Sequence, residues 1–410
     1  MMVSAAVVRN LTFLLLNPEG MSAENEHTAE AAVTTSCSGV KPSAIEWMPG
    51  GIAFGSGGVR TLCQLGVYAS LYDAGLTSHV TNWYGCSGGS VNAFFAALGV
   101  SASCVRDCIG LLDLHVIGKV TEELLLDYMN TWGINSGEAF IAFIGRFADT
   151  WEPGASTWTF ADLARERPGK QLHIIATNIS RGHIVVFNVT NTPDIRVLDA
   201  VRASSAIPLF FTPWASPTGE YYCDGALLES YPWSCVVDKE QTLVILNSDK
   251  EIRQFREGHV RPAPTSLGEY MLQIFQTVRR GYMKSSTPPK HWIAVNNRDV
   301  SIVDFGIGKE QREALFAEGE AAGKSWISFK RSKQSRPGLA EDQSLTAAKQ
   351  SRSSAMPQSP HECDHPNTYA SDHPLPDRMS DNRQSGNRMP LLHPSRGSQT
   401  PRSRDRRWSL

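Results

Sequence analysis

The sequence predicts an α/β fold with a mostly parallel central sheet, set between a flexible leader and a disordered tail. Three observations carry this. Strand-like and helix-like segments alternate through the middle of the chain. Thr242 to Asn247 is a continuous apolar run of the kind a central parallel strand needs. Both ends lose the hydrophobic periodicity that the middle shows.

Gly51 to Phe54 reads as a short strand entering a glycine loop. Arg60 to Asp73 has apolar residues at helical spacing and stops at Gly75. Val80 to Tyr84 reads as a strand and Ser90 to Leu98 as a buried helix. Helices are expected around 120–131 and 137–149. His173 to Ala176 and His183 to Phe187 are β-rich. A helix over 267–284, strands at His291 to Val295 and Ser301 to Val303, and a last helix over 309–327 complete the pattern.

Residues 1–47 are small and polar without period and are expected to be a leader. Residues 48–329 form the folded domain. Residues 330–410 are rich in Ser, Arg and Pro and cannot bury enough apolar surface to offset their ordering entropy. This tail holds 14 Lys/Arg against 8 Asp/Glu, and the rest of the chain 25 against 33. A basic tail on an acidic body suits an anionic surface, and a plain solvated tail equally well. The overall net charge of −2 gives no reason to expect a nucleic-acid partner.

Eight cysteines occur, none in CxxC spacing, and no cluster suggests a metal. Free buried thiols are expected. The N-terminal apolar run is broken by Arg9 and Asn10 and makes at best a weak signal-peptide pattern. Of the glycosylation triplets at Asn10, Asn178 and Asn188, the last two lie in strand-like runs. No run is long enough to span a bilayer.

Chemistry concentrates at three places. Gly85-Cys86-Ser87-Gly88-Gly89 is a G-x-S-x-G match between a strand and a helix. That is the context a nucleophile elbow requires, with glycines relieving the crowding of a sharp turn. Ser87 is therefore the expected nucleophile. The second place, Gly55 to Arg60, fails the dinucleotide pattern because its third glycine would fall on Arg60. Gly319 to Ser325 likewise fails the phosphate-loop pattern by one residue. The Gly55 loop is better read as an oxyanion hole, with backbone N–H groups of Gly57, Gly58 and Val59 as donors. The third place is Asp224-Gly225, a carboxylate at a strand end. Alone it is most often a turn; beside a serine it can be a general base.

Together these residues resemble the patatin-like phospholipase family from about Gly51 to about Ile327. The family motif GGGxRG aligns with Ser56 to Thr61, GxSxG with Gly85 to Gly89, and DG[GA] with Asp224 to Ala226. Thr159 to Leu163, Ala176 to Asn178 and Ala203 to Phe211 are similar to further family segments. The resemblance implies a three-layer α/β/α fold. It also implies a Ser87–Asp224 dyad acting through an acyl-enzyme on lipid carboxylic esters, with no metal and no cofactor. Arg60, Gly85, Gly89 and Gly225 would support the motifs. The expected partner is a lipid at a membrane or lipid-droplet surface, and the expected location cytoplasmic and membrane-peripheral. A catalytically weak binding module or an acyltransferase is the alternative. Ser56 and Thr61 replace the outer glycines of the first motif, and Ser230 stands where asparagine is frequent.

A Ser–Asp–His triad would need a histidine after Asp224, which leaves His259 and His291. His259 lies in a polar loop and His291 opens a strand, so the dyad is preferred. Leu111, Leu112, Phe140, Phe143 and Trp151 are candidates for an acyl groove, with ordinary core the simpler reading.

Overall fold

The computed structural model describes residues 47–109, 112–118, 122–248, 289–296 and 300–334, with a few isolated residues between 263 and 278. Of the expected features, all but the last residue of the leader, all but the first five of the tail, Asn10, Leu111, His259, Cys37, Cys363 and most of the 267–284 helix lie outside these residues.

The sheet is built on β1 (Gly51–Phe54), which lies between β2 (Asn82–Cys86) and β9 (Thr242–Ser248), parallel to both. On one side β9 carries β10 (His291–Asn296), also parallel. On the other, β2 pairs in parallel with β4 (Gln171–Asn178), and β5 (His183–Phe187) runs antiparallel along the far edge of β4. The expected α/β fold with a largely parallel sheet is thus found, flanked by helices.

β1 is apolar throughout because both of its faces are covered. Ile52 and Phe54 point into the main core and Ala53 into a second cluster with Tyr84, Trp233 and Val244. Against the main face pack α1 (Leu62–Asp73) and the last long helix, Lys309–Gln334. These two helices meet backbone to backbone. A Cβ on Gly319 would overlap the Cys63 carbonyl, and one on Gly323 would lie 2.8 Å from Ser70 Cβ. Close helix packing is therefore what the glycines of the 319–325 run serve. The helix continues to Gln334, past the expected domain boundary at 329.

Two expectations are corrected. The strand expected at 80–84 begins at Asn82 and runs to Cys86, which carries it to the residue before Ser87. Ser301 to Val303 is not a strand but part of a turn, closed by Asp304 N–H donating to Ser301 O at 3.3 Å. Its Ile302 carbonyl accepts the Val59 N–H instead of a strand partner's.

The strand that matters most for the site is β8 (Tyr221–Asp224). It pairs antiparallel with β4 through Ala176↔Asp224, Thr177↔Cys223 and Asn178↔Tyr222. β5 occupies the far edge of β4 over the same residues, so β8 lies on the near edge, the one β2 uses. β2 ends there at Cys86↔Ile175. The two strands therefore meet end to end, and Asp224 takes the next register position after Cys86.

α2 (Gly88–Leu98) leaves this junction. Gly89 allows the departure: a Cβ on it would lie 2.5 Å from the carbonyl oxygens of both Phe54 and Gly55. Gly89→Ala is expected to cost about 2–3 kcal/mol, because neither backbone oxygen can retreat without breaking β1. Urea denaturation of the variant tests this; an unchanged midpoint would show that the helix start can shift at no cost.

Candidate active site

Ser87 sits at the mouth of α2 with φ 56° and ψ −134°, outside the regions a side-chain-bearing residue normally occupies. The sharp turn aims its hydroxyl away from both strand and helix. Ser87 Oγ donates to Asp224 Oδ2 at 2.6 Å, and both residues are buried. The other carboxylate oxygen, Oδ1, accepts the Ala226 N–H at 2.8 Å. Asp224 thus has one oxygen tied to the turn and the other presented to the serine.

The backbone on both sides is held by one segment. α6 (Val197–Ser204) ends against the junction. Ser204 Oγ accepts the Ser87 N–H at 2.9 Å and donates to Ile175 O at 2.5 Å. Two residues later, Ala206 O accepts the Asp224 N–H at 2.9 Å. The Ala203 to Phe211 run stands out in the sequence, but nothing in it distinguishes Ser204 as the residue that pins the Ser87 backbone. Only the fold brings it there.

On the β1 side lies the glycine loop. Gly58 has φ 53°, and a Cβ on it would overlap the Ile302 carbonyl oxygen. Its carbonyl lies 2.8 Å from where a Gly88 Cβ would be, so the loop rests directly on the elbow. Among the described residues the N–H groups of Gly57 and Gly58 donate to nothing. Val59 does not fit the expectation that it contributes a donor: its N–H is already given to Ile302 O at 3.1 Å. Arg60 tethers the same turn by donating through Nε to Val300 O. Ser56 is tied by its N–H to Ser230 O at 2.8 Å, and Thr61 Oγ1 donates to Gly58 O at 2.7 Å. The two replaced glycines are thus accommodated by the loop.

Ser87 opens onto an apolar cavity of about 960 Å³, its mouth included. Leu62, Leu65, Val91, Phe95, Phe143 and Phe305 are among its walls. Of the residues expected at an acyl groove, Leu112, Phe140 and Phe143 line it and Trp151 does not. Its polar lining is sparse: Thr61, Ser87, Asn92 and Ser205 supply side-chain oxygen or nitrogen. Among the described residues no group of three or more His, Cys, Asp or Glu is placed to hold a metal. Cys63, Cys86, Cys104, Cys108 and Cys223 are free and buried.

Neither His291 nor His173 hydrogen-bonds to Ser87 or Asp224. His291 opens β10, at the end of the parallel sheet opposite to the strand ends that carry the elbow. It sits against Trp47 and Lys330. His173, in β4, is buried beneath Tyr84. Its Nδ1 faces the Asn188 amide at 3.3 Å and its Nε2 faces Asn82 Oδ1 at 3.1 Å. That arrangement suits a neutral ring, with Nδ1 accepting and Nε2–H donating. Burial pushes its pKa down to about 4. The unfolded chain then binds a proton that the folded one refuses between pH 6.5 and 4. His173 thus contributes stability that is fully present above pH 6.5 and lost as pH falls toward 4, about 3 kcal/mol in all. Denaturation midpoints of the wild type and His173→Gln at pH 7 and pH 4 test this. The wild type is expected to lose more stability than the variant, and parallel losses would refute the assignment.

The chain was compared with known families, proteins and solved structures. The family model for patatin-like phospholipase matches residues 52–235. The chain is 22% identical over 277 residues to uncharacterized protein R571 of Acanthamoeba polyphaga mimivirus, covering 65% of this chain and 90% of that protein. It is 26% identical over 155 residues to probable lipid hydrolase 463L of invertebrate iridescent virus 6, covering 37% of this chain and 52% of that protein. Among solved structures it is similar to VipD from Legionella pneumophila, at TM-score 0.44 and 16% identity over 70% of this chain and 67% of that one. It is also similar to human GIVD cytosolic phospholipase A2, at TM-score 0.39 and 10% identity over 80% and 63%. The chain contains a patatin-like phospholipase domain.

Proposed function

We propose that this patatin-like domain is a lipid acyl hydrolase, with Ser87 as nucleophile and Asp224 as the base that serves it. The observation that carries the reading is the buried 2.6 Å Ser87–Asp224 hydrogen bond on the wall of an apolar cavity. Ser87 Oγ attacks the ester carbonyl carbon while its proton passes to Asp224 Oδ2. The tetrahedral oxyanion is met by the Gly57 and Gly58 N–H groups. Collapse breaks the bond to the alkoxy group, which takes the proton from Asp224 and leaves as an alcohol. A water then repeats the sequence on the acyl-enzyme: its proton goes to Asp224 and on to Ser87, and the fatty acid departs. The cavity walls suit an acyl chain and offer little to a polar substrate.

Ser87→Ala and Asp224→Asn are each expected to lower esterase activity on a lipid panel by about three orders of magnitude or more. Ser87→Ala is also expected to abolish labelling by a fluorophosphonate. A wild type that neither labels nor cleaves would favour a catalytically silent binding module. The hold of Ile302 O and Thr61 on the glycine loop is the feature such a module would build on.

Lipid substrates are met at an interface, and the chain that leaves the cavity wall offers a surface for one. Beyond Leu112, Leu114 and Ile117, it places Leu126, Met129 and Trp132 in solvent, at 88%, 81% and 50% exposure. Three exposed large apolar side chains spaced three residues apart are costly in water and suited to the acyl boundary of a bilayer. No helix among the described residues is long and apolar enough to cross a membrane, so the contact proposed is peripheral. Replacing all three by serine is expected to reduce co-sedimentation with phosphatidylcholine vesicles at least tenfold. Hydrolysis of a short soluble ester should persist. Equal vesicle binding by variant and wild type would remove this surface from the proposal.

A further inference from the structure

The polar groups that line the cavity are almost all spoken for. Ser87 Oγ donates to Asp224, Thr61 Oγ1 to Gly58 O, and Asn92 Nδ2 to Thr61 O at 3.0 Å. Ser205 is the exception. Its Oγ is buried with no hydrogen-bond partner among the described residues, so nothing inside the protein holds it, and it meets a substrate by turning about its Cα–Cβ bond toward the cavity that Ser205 lines. A buried hydroxyl without a partner is destabilising, and native proteins keep few of them without a use.

Its position says what that use is. Ser205 lies between Ser204, whose side chain holds the Ser87 N–H, and Ala206, whose carbonyl holds the Asp224 N–H. Ser204 reaches this place through Ile175 O, so the segment stands on the β4 side of the elbow. The glycine loop follows β1 and stands on the other side. A substrate carbonyl oxygen directed at Gly57 and Gly58 turns the rest of its tetrahedral centre away from that loop. The leaving oxygen must also be reachable from Asp224, which returns the proton to it. Both conditions place the leaving oxygen on the flank where Ser205 stands.

We propose that Ser205 is a further catalytic residue whose Oγ–H donates a hydrogen bond to the alkoxy oxygen of the leaving alcohol. This rests on the Ser87–Asp224 reading above. Ser205 keeps its own proton throughout. As the carbonyl carbon–oxygen bond breaks, its hydrogen bond steadies the charge that builds on the alkoxide until Asp224 delivers the proton taken from Ser87. In the second half the attacking water occupies the same place and gives its proton to Asp224.

The test compares two esters of one fatty acid. A glycerol ester leaves as a strongly basic alkoxide and needs the help; a 4-nitrophenyl ester leaves as a stable phenolate and does not. Ser205→Ala is expected to lower kcat/KM at least tenfold on the glycerol ester and less than twofold on the nitrophenyl ester. Ser205→Thr, which keeps a hydroxyl, should retain most of the glycerol-ester activity. The thermal midpoint of Ser205→Ala should be unchanged or higher, since no internal bond is lost. Equal losses on both esters, no loss on either, or a fall in thermal midpoint would each overturn the assignment while leaving the dyad standing. A wild type inert to both esters and to fluorophosphonate would instead remove the dyad, and this proposal with it.

Discussion

The site depends on holding one serine at a backbone angle that serine avoids. Ser87, at φ 56°, stores strain of order 1–3 kcal/mol. Nothing in Ser87 itself would keep it there. The restraint comes from its neighbours in space. Gly85 and Gly89 let strand and helix close on the turn, with backbone atoms 2.5 Å from where their Cβ atoms would be. Ser204 Oγ takes the N–H that the irregular backbone leaves outside both strand and helix. Released from these, Ser87 could relax to an ordinary angle, and its hydroxyl would leave Asp224.

Asp224 is restrained by the same logic. β8 carries it to the edge of β4 at the point where β2 has ended, so its side chain meets the serine that follows β2. Its N–H goes to Ala206, its carbonyl oxygen accepts the Thr177 hydroxyl at 3.1 Å, and its Oδ1 goes to Ala226. A buried carboxylate is costly unless hydrogen-bonded. Here the Ala226 N–H bond that reduces that cost at Oδ1 also helps to fix the remaining oxygen on Ser87. With strand end, helix end and carboxylate interlocked, the Ser87 hydroxyl and Asp224 Oδ2 stand at the hydrogen-bond distance that the proposed proton transfer requires.

Much of this was legible in the sequence because it is local. The Gly51–Phe54 strand and the long helices follow from periodicity, and the elbow from a glycine pattern lying between strand and helix signals. The link between Ser87 and Asp224 is another matter. The two residues are 137 apart, and what joins them is the sharing of one edge of β4 by two strands of opposite direction. No spacing encodes that; the family resemblance supplied the pairing, and the register supplies the reason. Ser204 and Ser205 were visible only as part of a characteristic run, because the job of each depends on which neighbour the end of α6 meets. Ser301 to Val303 misled for the opposite reason. Its composition is that of a strand, but its Ile302 carbonyl is used against the glycine loop and its other two carbonyls close the turn.

That use explains the glycine loop's departures. Thr61 Oγ1 holds the Gly58 carbonyl. In a trans peptide the C=O and the following N–H point in opposite directions. Fixing the Gly58 carbonyl therefore turns the Val59 N–H outward, where Ile302 O accepts it. A glycine at position 61 would leave this peptide held by the Ile302 bond alone. With threonine there, the 58–59 peptide is committed, and Val59 cannot serve an oxyanion without breaking two hydrogen bonds at once. The Gly57 and Gly58 N–H groups belong to the preceding peptides and remain open. Thr61 thus leaves the proposed oxyanion hole two donors and makes their setting rigid. Rigid donors cost no reorganisation as charge develops. Thr61 restrains the loop without closing the site.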